Sequence, residues 1–483
     1  MGNSLMGRGI RGLMVGLLLL AAAMELRAAE RPNILFILTD DQAPWALGLA
    51  GHPHASTPHL DALFRSGAYL VNSFTVTPVC SPSRASLISS RYGSEVGITD
   101  WIKPGEESAL GLNPKLSTWP RLLQQSGYRT ALIGKWHLGT EDRFHPTLLG
   151  YTNFMGLRGG GTSPANPKLE VDGVERPVRG LTTDILTDEA IRWLRLHQAN
   201  DGPFALSLHY RAPHSAWLPV RESDWEPFDT LDPQIPNPDY PNLDTQRVKK
   251  MTREYLASVK GVDRNVGRLL EELKLQGYEK DTIVIFSSDH GYNMGHNGIW
   301  HKGNGHWVLT EPPAATSNIP RGQRPNMYDN SLRVPTCVRW PGVIPAGTVI
   351  HETISNLDWF PTIVELAGSR IPKGTIVRGH SLVPVLRGEA KSWDNDFYAE
   401  YSTKHQSHTH MRMYRTAEWK LIRDFLNSGR DELYDLRHDP AEQHNLIDST
   451  DPEVPKVIAN LHARILEQMR AINDPVLPLA EQR

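Results

Sequence analysis

The stretch "NILFILTDDQ", Asn33 to Gln42, is apolar without a break from Ile34 to Leu38 and then stops at two aspartates. An unbroken run of this length suits a strand covered on both faces, as in a parallel sheet, whereas a half-exposed strand would alternate. Three further segments repeat the pattern of an apolar run ending in polar residues. "YRTALIGKWHLG" runs from Thr130 to Ile133 into Lys135 and His137, and "PFALSLHYRAPH" from Phe204 to Leu208 into His209 and His214. "DTIVIFSSDHG" runs from Thr282 to Ser287 into Asp289 and His290. Helical candidates lie between them, at Thr57 to Ala68, Thr187 to His197 and Val262 to Gly277. The alternation predicts an α/β fold: a large mixed, mostly parallel sheet sandwiched by helices. Ligands in such folds bind beyond the carboxyl ends of the strands, so the four polar clusters are expected to converge.

The chain of 483 residues exceeds what one core usually supports. Its character changes after about Leu386, where "DFYAEYS", "MRMYRTAEWKLIRDF" and "DELYDL" read as short strands and "EVPKVIANLHARILEQMRA" as a final amphipathic helix. We therefore expect an N-terminal catalytic α/β domain over 30–388 and a smaller C-terminal α+β subdomain of antiparallel strands and a helix over 389–483. Asp224 to Asp244 and His306 to Pro325, rich in Pro or polar residues, read as surface loops.

Arg8 and Arg11 precede the apolar run Leu13 to Ala23 and the small residues through Ala29, the pattern of a secretory signal spanning residues 1–29. The run is shorter than the roughly 17 to 25 residues a spanning helix needs, so no stable membrane span is expected after cleavage. The expected location is periplasmic or secreted. A net charge of −3 gives no argument for nucleic acid or an anionic membrane as partner. An exported chain with only Cys80 and Cys337 is not a disulfide framework.

Asp40, Asp41 and Asp289 supply three carboxylates at two strand ends and His290 adds an imidazole, a set suited to a hard divalent cation, calcium or magnesium. Caps and turns also use aspartate constantly, and imidazole is an unusual calcium ligand, so His290 is equally readable as a hydrogen-bonding neighbour. Lys135, His137, His214 and Lys302, with Arg84, would make an anion pocket beside that cation. Singly, each also reads as a solvated charge or a structural histidine. In "TPVCSPSRASLISSRY", Thr77 to Tyr92, Ser81-Pro82 opens a helical segment and Cys80 caps it. Free N–H groups and the positive dipole end there favour negative charge.

These residues resemble the formylglycine-dependent (type I) sulfatases of the alkaline phosphatase superfamily. The carrying motif is Cys80-Ser81-Pro82-Ser83-Arg84, supported by "TDDQ", "GKWHLG", "APH", "SSDHG" and "IWHKG". The resemblance implies an arylsulfatase-like sulfuric ester hydrolase acting on an organic sulfate ester, most readily a sulfated carbohydrate. It implies that a formylglycine-generating enzyme oxidises Cys80 to formylglycine, whose hydrate attacks sulfur and later collapses to the aldehyde with loss of sulfate. Asp40, Asp41, Asp289 and His290 would bind one Ca2+, or Mg2+, together with an oxygen of modified Cys80. Arg84 would orient the diol, Lys135 and Lys302 hold sulfate oxygens, His137 accept the diol proton and His214 protonate the leaving alcohol. A phosphonate monoester or phosphodiester hydrolase of the same superfamily carries the same substrate charge and is the alternative. A non-catalytic exported glycan-binding protein is a further one. For the sugar itself, "HQSHTHMRMYR" offers His405, His408, His410 and Arg412 as rim contacts, and Trp101 is another; His52, His54, Arg158 and Arg221 are weaker candidates.

Overall fold

Asn33–Thr39 is the fifth strand of a ten-stranded sheet among the described residues, which in this computed structural model are 31–198 and 201–483. It pairs in parallel with Thr282–Ser288 on one side and with Phe204–His209 on the other. Arg129–Lys135 and then Asn153–Leu157 extend the parallel block. Beyond Thr282–Ser288 the short strand Cys337–Arg339 runs antiparallel, followed by Ala68–Leu70 and Thr348–Ile350. The hairpin Lys168–Val171 and Val174–Pro177 closes the other edge. The sheet is therefore mixed and mostly parallel, as the apolar runs predict.

The unbroken run in the central strand has a direct cause. Ile34, Phe36 and Leu38 enter a core with Trp119, Trp359 and Phe360, while Leu35 and Ile37 enter a second core with Leu206, Val262 and Val266. Both faces of the strand are buried, so neither set of alternating positions tolerates a polar residue. The second core is roofed by Thr182–Leu196 and by the 31-residue helix Thr245–Leu275. Both start earlier than their periodic cores suggest. Asp244 caps the longer one through the Arg247 N–H at 3.0 Å.

The stretch His306 to Pro325 departs from the loop expectation at both ends. Asn293–Met294, Ile299–His301, Asn304–Trp307 and Gln323–Pro325 form a small antiparallel sheet. These strands of two to four residues are too short to show a period. Within Asp224 to Asp244, Trp225 ends a helical turn begun at Glu222, and Glu226–Phe228 adds a 3-10 turn. The signal-like segment 1–29 lies outside the described residues.

Phe397–Tyr401, Met411–Arg415, Trp419–Asp424 and Glu432–Asp435 form a four-stranded antiparallel sheet, and the helix Val454–Ala471 packs on it. Its core is shared with Phe74, Val76, Val79 and Tyr92, residues that flank the helix Cys80–Ser89. Arg412 does not face solvent or a ligand: its guanidinium is 1% exposed and held by Asp474 at 2.5 and 2.8 Å. A carboxylate left buried without its partner is strongly destabilising, so Arg412→Ala is expected to lower stability by about 3–5 kcal/mol. Urea unfolding checks this, and kcat/KM of the folded fraction should be unchanged.

Candidate active site

Four strand ends deliver the polar residues to one place. Thr39 ends the central strand, and the chain turns sharply through Asp40 and Asp41, with Asp41 at φ +69°. Such a value is uncommon for a residue with a side chain and costs of order 1–3 kcal/mol, which the surrounding structure must offset. The turn is held by the Asp289 N–H on the Thr39 carbonyl at 3.0 Å and by the Tyr255 hydroxyl on the Asp41 carbonyl at 2.7 Å. His137, just past Arg129–Lys135, sits at φ +59°.

Cys80 is the first helical residue of Cys80–Ser89, and Val79, with extended backbone, holds the cap position. This corrects the expectation that Cys80 itself is the cap. The sulfur still lies in the first turn, where unpaired N–H groups face negative charge. Every residue of this helix is buried. Ser83 anchors it through its hydroxyl on the Asp289 carbonyl, and Asn356 donates to the Ser83 carbonyl at 3.0 Å.

Three ion pairs build the floor. Arg84 Nε donates to Asp289 Oδ2 at 2.9 Å, Lys135 Nζ to Asp40 Oδ2 at 2.6 Å, and Lys302 Nζ to Asp41 Oδ1 at 2.7 Å. Lys302 also lies 2.9 Å from Cys80 Sγ. That placement depends on Gly303, whose N–H reaches the Pro78 carbonyl at 3.0 Å; a Cβ there would stand 2.3 Å from the Pro78 ring. Burial works against the Lys302 charge, yet Asp41 holds its pKa above the ordinary lysine value. Burial and the charge of Asp40 push Asp289 up to about 6, whereas at Asp40 burial, the largest single influence, is outweighed by the neighbouring cations together, Lys135 foremost, which hold it well below the usual range.

The cluster fits a divalent cation on its own geometry. Asp40, Asp41, Cys80 and His290 each offer a ligand atom, all within 4.8 Å of one another. Asp41 Oδ2 is buried without a hydrogen-bond partner. His290 Nδ1 is 3.0 Å from the Gly291 carbonyl, which assigns the proton to Nδ1. Its Nε2 is left facing Asp41 Oδ1 at 3.2 Å, Asp289 Oδ1 at 3.3 Å and Cys80 Sγ at 3.4 Å. A lone pair against two carboxylates is a repulsive arrangement that a cation would resolve.

A cavity of about 350 Å³ opens above Cys80, His137, His214 and Lys302. His214 donates from Nδ1 to the Ser215 carbonyl at 2.6 Å, so Nε2, 3.9 Å from Asp41 Oδ2, is available for proton transfer. Burial, outweighing the pull of Asp41, lowers its pKa to about 4. His137 points Nε2 at the Ile102 carbonyl at 3.0 Å and keeps a buried, unpartnered Nδ1. Gly160 packs under that ring, where a Cβ would come within 2.5 Å.

The rim candidates separate. Trp101 lines the cavity and packs against His405 with the rings tilted at 54° and centroids 4.6 Å apart, while His405 Nε2 reaches Glu107 at 3.1 Å. His408 is exposed, and His410 turns inward to the Ser402 hydroxyl at 3.1 Å. Arg412 is consumed by Asp474. Neither His52 nor His54 lines the cavity: His52 packs against Trp45, and His54 packs against His52 and accepts the Gln234 N–H at 3.1 Å. Arg158 is held by Glu170 and Asp142, each at 2.6 Å, and Arg221 by Asp184 at 2.8 Å. Sequence reasoning did not single out His301, Asn304, His306, Gln406, Pro104, Gly160 or Gly161, which complete the cavity wall. The one available signal was "HKGNGH", two histidines flanking Lys302 and two glycines.

Comparison with known proteins shows the family to which the chain belongs. The family described as Sulfatase matches residues 32–369, and the chain belongs to it: it is a sulfate ester hydrolase. The description "N-sulphoglucosamine sulphohydrolase, C-terminal" matches residues 323–471. Among its relatives, N-acetylglucosamine-6-O-sulfatase of Bacteroides thetaiotaomicron is 28% identical over 86% of this chain and 83% of its own. Steryl-sulfatase of Mus musculus is 31% identical over 77% of this chain and 68% of its own. A solved structure in complex with its substrate, D-glucosamine-2-N,6-O-disulfate, superposes with a TM-score of 0.78, at 26% identity, covering 92% of this chain and 99% of the other.

Proposed function

We propose that the substrate is a sulfated carbohydrate and that Cys80 works after conversion to formylglycine beside a bound calcium ion. The observation that carries this reading is the position of Cys80 Sγ, buried on the cavity floor, 2.9 Å from Lys302 Nζ, 3.4 Å from His290 Nε2 and 3.7 Å from Asp40 Oδ1. A thiol in a redox or disulfide role would not need three carboxylates and three cations around it. The names of the bacterial relative and of the superposed structure's ligand, both sulfated sugars, support the carbohydrate assignment.

Asp40, Asp41, Asp289 and His290 would hold the ion, with residue 80 completing the set. Calcium, or magnesium, supplies charge there that acidifies an adjacent oxygen and stabilises the sulfuryl oxygens. Formylglycine supplies an oxygen nucleophile in place of sulfur.

The remaining work falls to the chain's own side chains. Lys302 and Lys135 meet the sulfate oxygens and draw charge away from sulfur as the ester S–O bond breaks. Arg84, fixed by Asp289 and by the Lys135 carbonyl at 2.9 Å, orients the group at position 80. His214 acts as general acid in its imidazolium form: with Nδ1–H kept on the Ser215 carbonyl, Nε2 takes up a proton when the sulfate ester anion binds beside it and passes that proton to the departing alkoxide oxygen, so the alcohol leaves neutral. His137, with Nδ1 unpartnered, accepts a proton from the hydroxyl at position 80. The signal-like N-terminus supports an exported enzyme, periplasmic or secreted, matured by a formylglycine-generating enzyme. No helix of the described residues is long and apolar enough to cross a membrane. Residues 30–388 would form the catalytic domain and 389–483 the subdomain that borders its cavity.

Intact-mass measurement on protein from its native host should show the loss expected when the thiol of Cys80 is replaced by an aldehyde, and Cys80→Ala should abolish turnover. An unmodified chain with full activity would refute the reading. His214→Ala should cut kcat by about 10²–10⁴ on alkyl sulfates and far less on activated aryl sulfates, whose leaving groups need no proton. Equal losses on both would remove the acid role. Calcium at about 100 times its Kd should stabilise the protein by about 2.7 kcal/mol. Thermal unfolding of the wild type and of Asp41→Asn reads this, and an equal rise in both would place the ion elsewhere.

A further inference from the structure

The carbohydrate assignment leaves open how many anionic groups the bound sugar carries, and the charge distribution around the cavity bears on that number. Every cation at its floor is already matched by a carboxylate: Arg84 by Asp289, Lys135 by Asp40 and Lys302 by Asp41. One sulfate, facing an ion held by this set, is what the floor accommodates.

Above the floor and its three cations, of which Lys302 borders the cavity, none of the described lining residues is a lysine or arginine. Above it the wall is Trp101, Pro104, Asn304, Gln406 and two further histidines, His301 and His306. Burial, followed by the charge of Lys302, keeps His301 well below the ordinary histidine value, and burial with Arg247 lowers His306. The nearby cations either are paired with carboxylates or, like the exposed Arg247 over the Trp300 ring, lie outside the cavity lining. Lys103 is held by Glu106 at 2.6 Å and Arg158 by Glu170 and Asp142, while the exposed Lys404 does not line the cavity. The carboxylate of Glu107, behind Trp101 on His405, adds negative charge to that side.

We infer that the sugar ring carrying the scissile sulfate bears no second anionic group: it is a singly sulfated, otherwise neutral ring such as an N-acetylated or fully hydroxylated hexose. This rests on the carbohydrate sulfatase reading above. A second sulfate or a carboxylate on that ring would be stripped of water against neutral groups with no counter-charge. Hydroxyl and acetamido groups instead find amides, imidazoles and an aromatic face, the usual means of fixing a neutral sugar. Anionic groups on neighbouring rings, outside the cavity mouth, are tolerated.

The test compares kcat/KM for N-acetylglucosamine and N-acetylgalactosamine sulfated singly at each hydroxyl with the same rings carrying an additional sulfate on nitrogen or on a second hydroxyl. 4-Nitrophenyl sulfate is the control for sulfate ester hydrolysis. At least one singly sulfated sugar is expected to exceed its doubly sulfated partner by about 100-fold or more. Gln406→Arg, which places a cation at the rim, should narrow that gap by about tenfold by raising kcat/KM on the doubly sulfated ring. Equal or preferred use of the doubly sulfated sugars by the wild type overturns the inference alone. Turnover of 4-nitrophenyl sulfate with none of the sugars overturns the carbohydrate reading, and the inference with it.

Discussion

The structure depends on a solution to one electrostatic problem: three carboxylates and three cations, all almost fully withdrawn from water, meet at the carboxyl edge of one sheet. An isolated charge at that depth would be prohibitive, so each position exists only because its partner arrives from a different part of the chain. Asp40 follows the first strand and Lys135 ends the second in sequence of the central block, while Lys302 arrives on a separate small sheet. The parallel arrangement makes this possible, because it brings several strand ends to the same edge and leaves helices to cover both faces. Left-handed backbone at Asp41 and His137 is tolerated there for the same reason.

Pairing does not exhaust the site. Asp41 Oδ2, Arg84 Nη2 and His137 Nδ1 are buried and have no partner within the protein, and all three belong to residues around Cys80. Buried polar atoms elsewhere in proteins are seldom left in this state. The same state recurs at Trp119 Nε1, Tyr292 Oη and other buried atoms of the chain, so what marks these three is that they belong to residues proposed to meet an ion and a substrate. Membership of the sulfatase family gives that pattern its chemical meaning.

Much of this could be read in the chain. The run Ile34 to Leu38 is unbroken because both faces of its strand are covered, and that physical cause is also what makes it legible. Asp40, Asp41, Asp289, Lys135 and His137 were visible as the polar ends of such runs. What could not be read were features set by distant or very short segments. Arg412 looks like a rim contact until Asp474, 62 residues away, is seen to claim it. The strands carrying His301, Asn304 and His306 are only three and four residues long and leave no period to detect. Cys80 differs by one position from the expected cap because Val79, with extended backbone, takes that place, a distinction that Ser81-Pro82 alone does not encode.

The core that joins Phe74, Val76 and Val79 to Phe397, Tyr401 and Met413 ignores the boundary drawn at residue 388. Ser94 bonds Glu400 through both its N–H and its hydroxyl at 2.7 Å, and Asp100 accepts from the Tyr401 hydroxyl at 3.2 Å and the Lys404 N–H at 2.8 Å. The helix that carries Cys80 is thus completed by the part of the chain that leaves the ribosome last. Function is therefore withheld until synthesis is nearly finished, and a polypeptide interrupted before Phe397 would retain every charged residue of the floor yet lack the packing that holds the nucleophile in place.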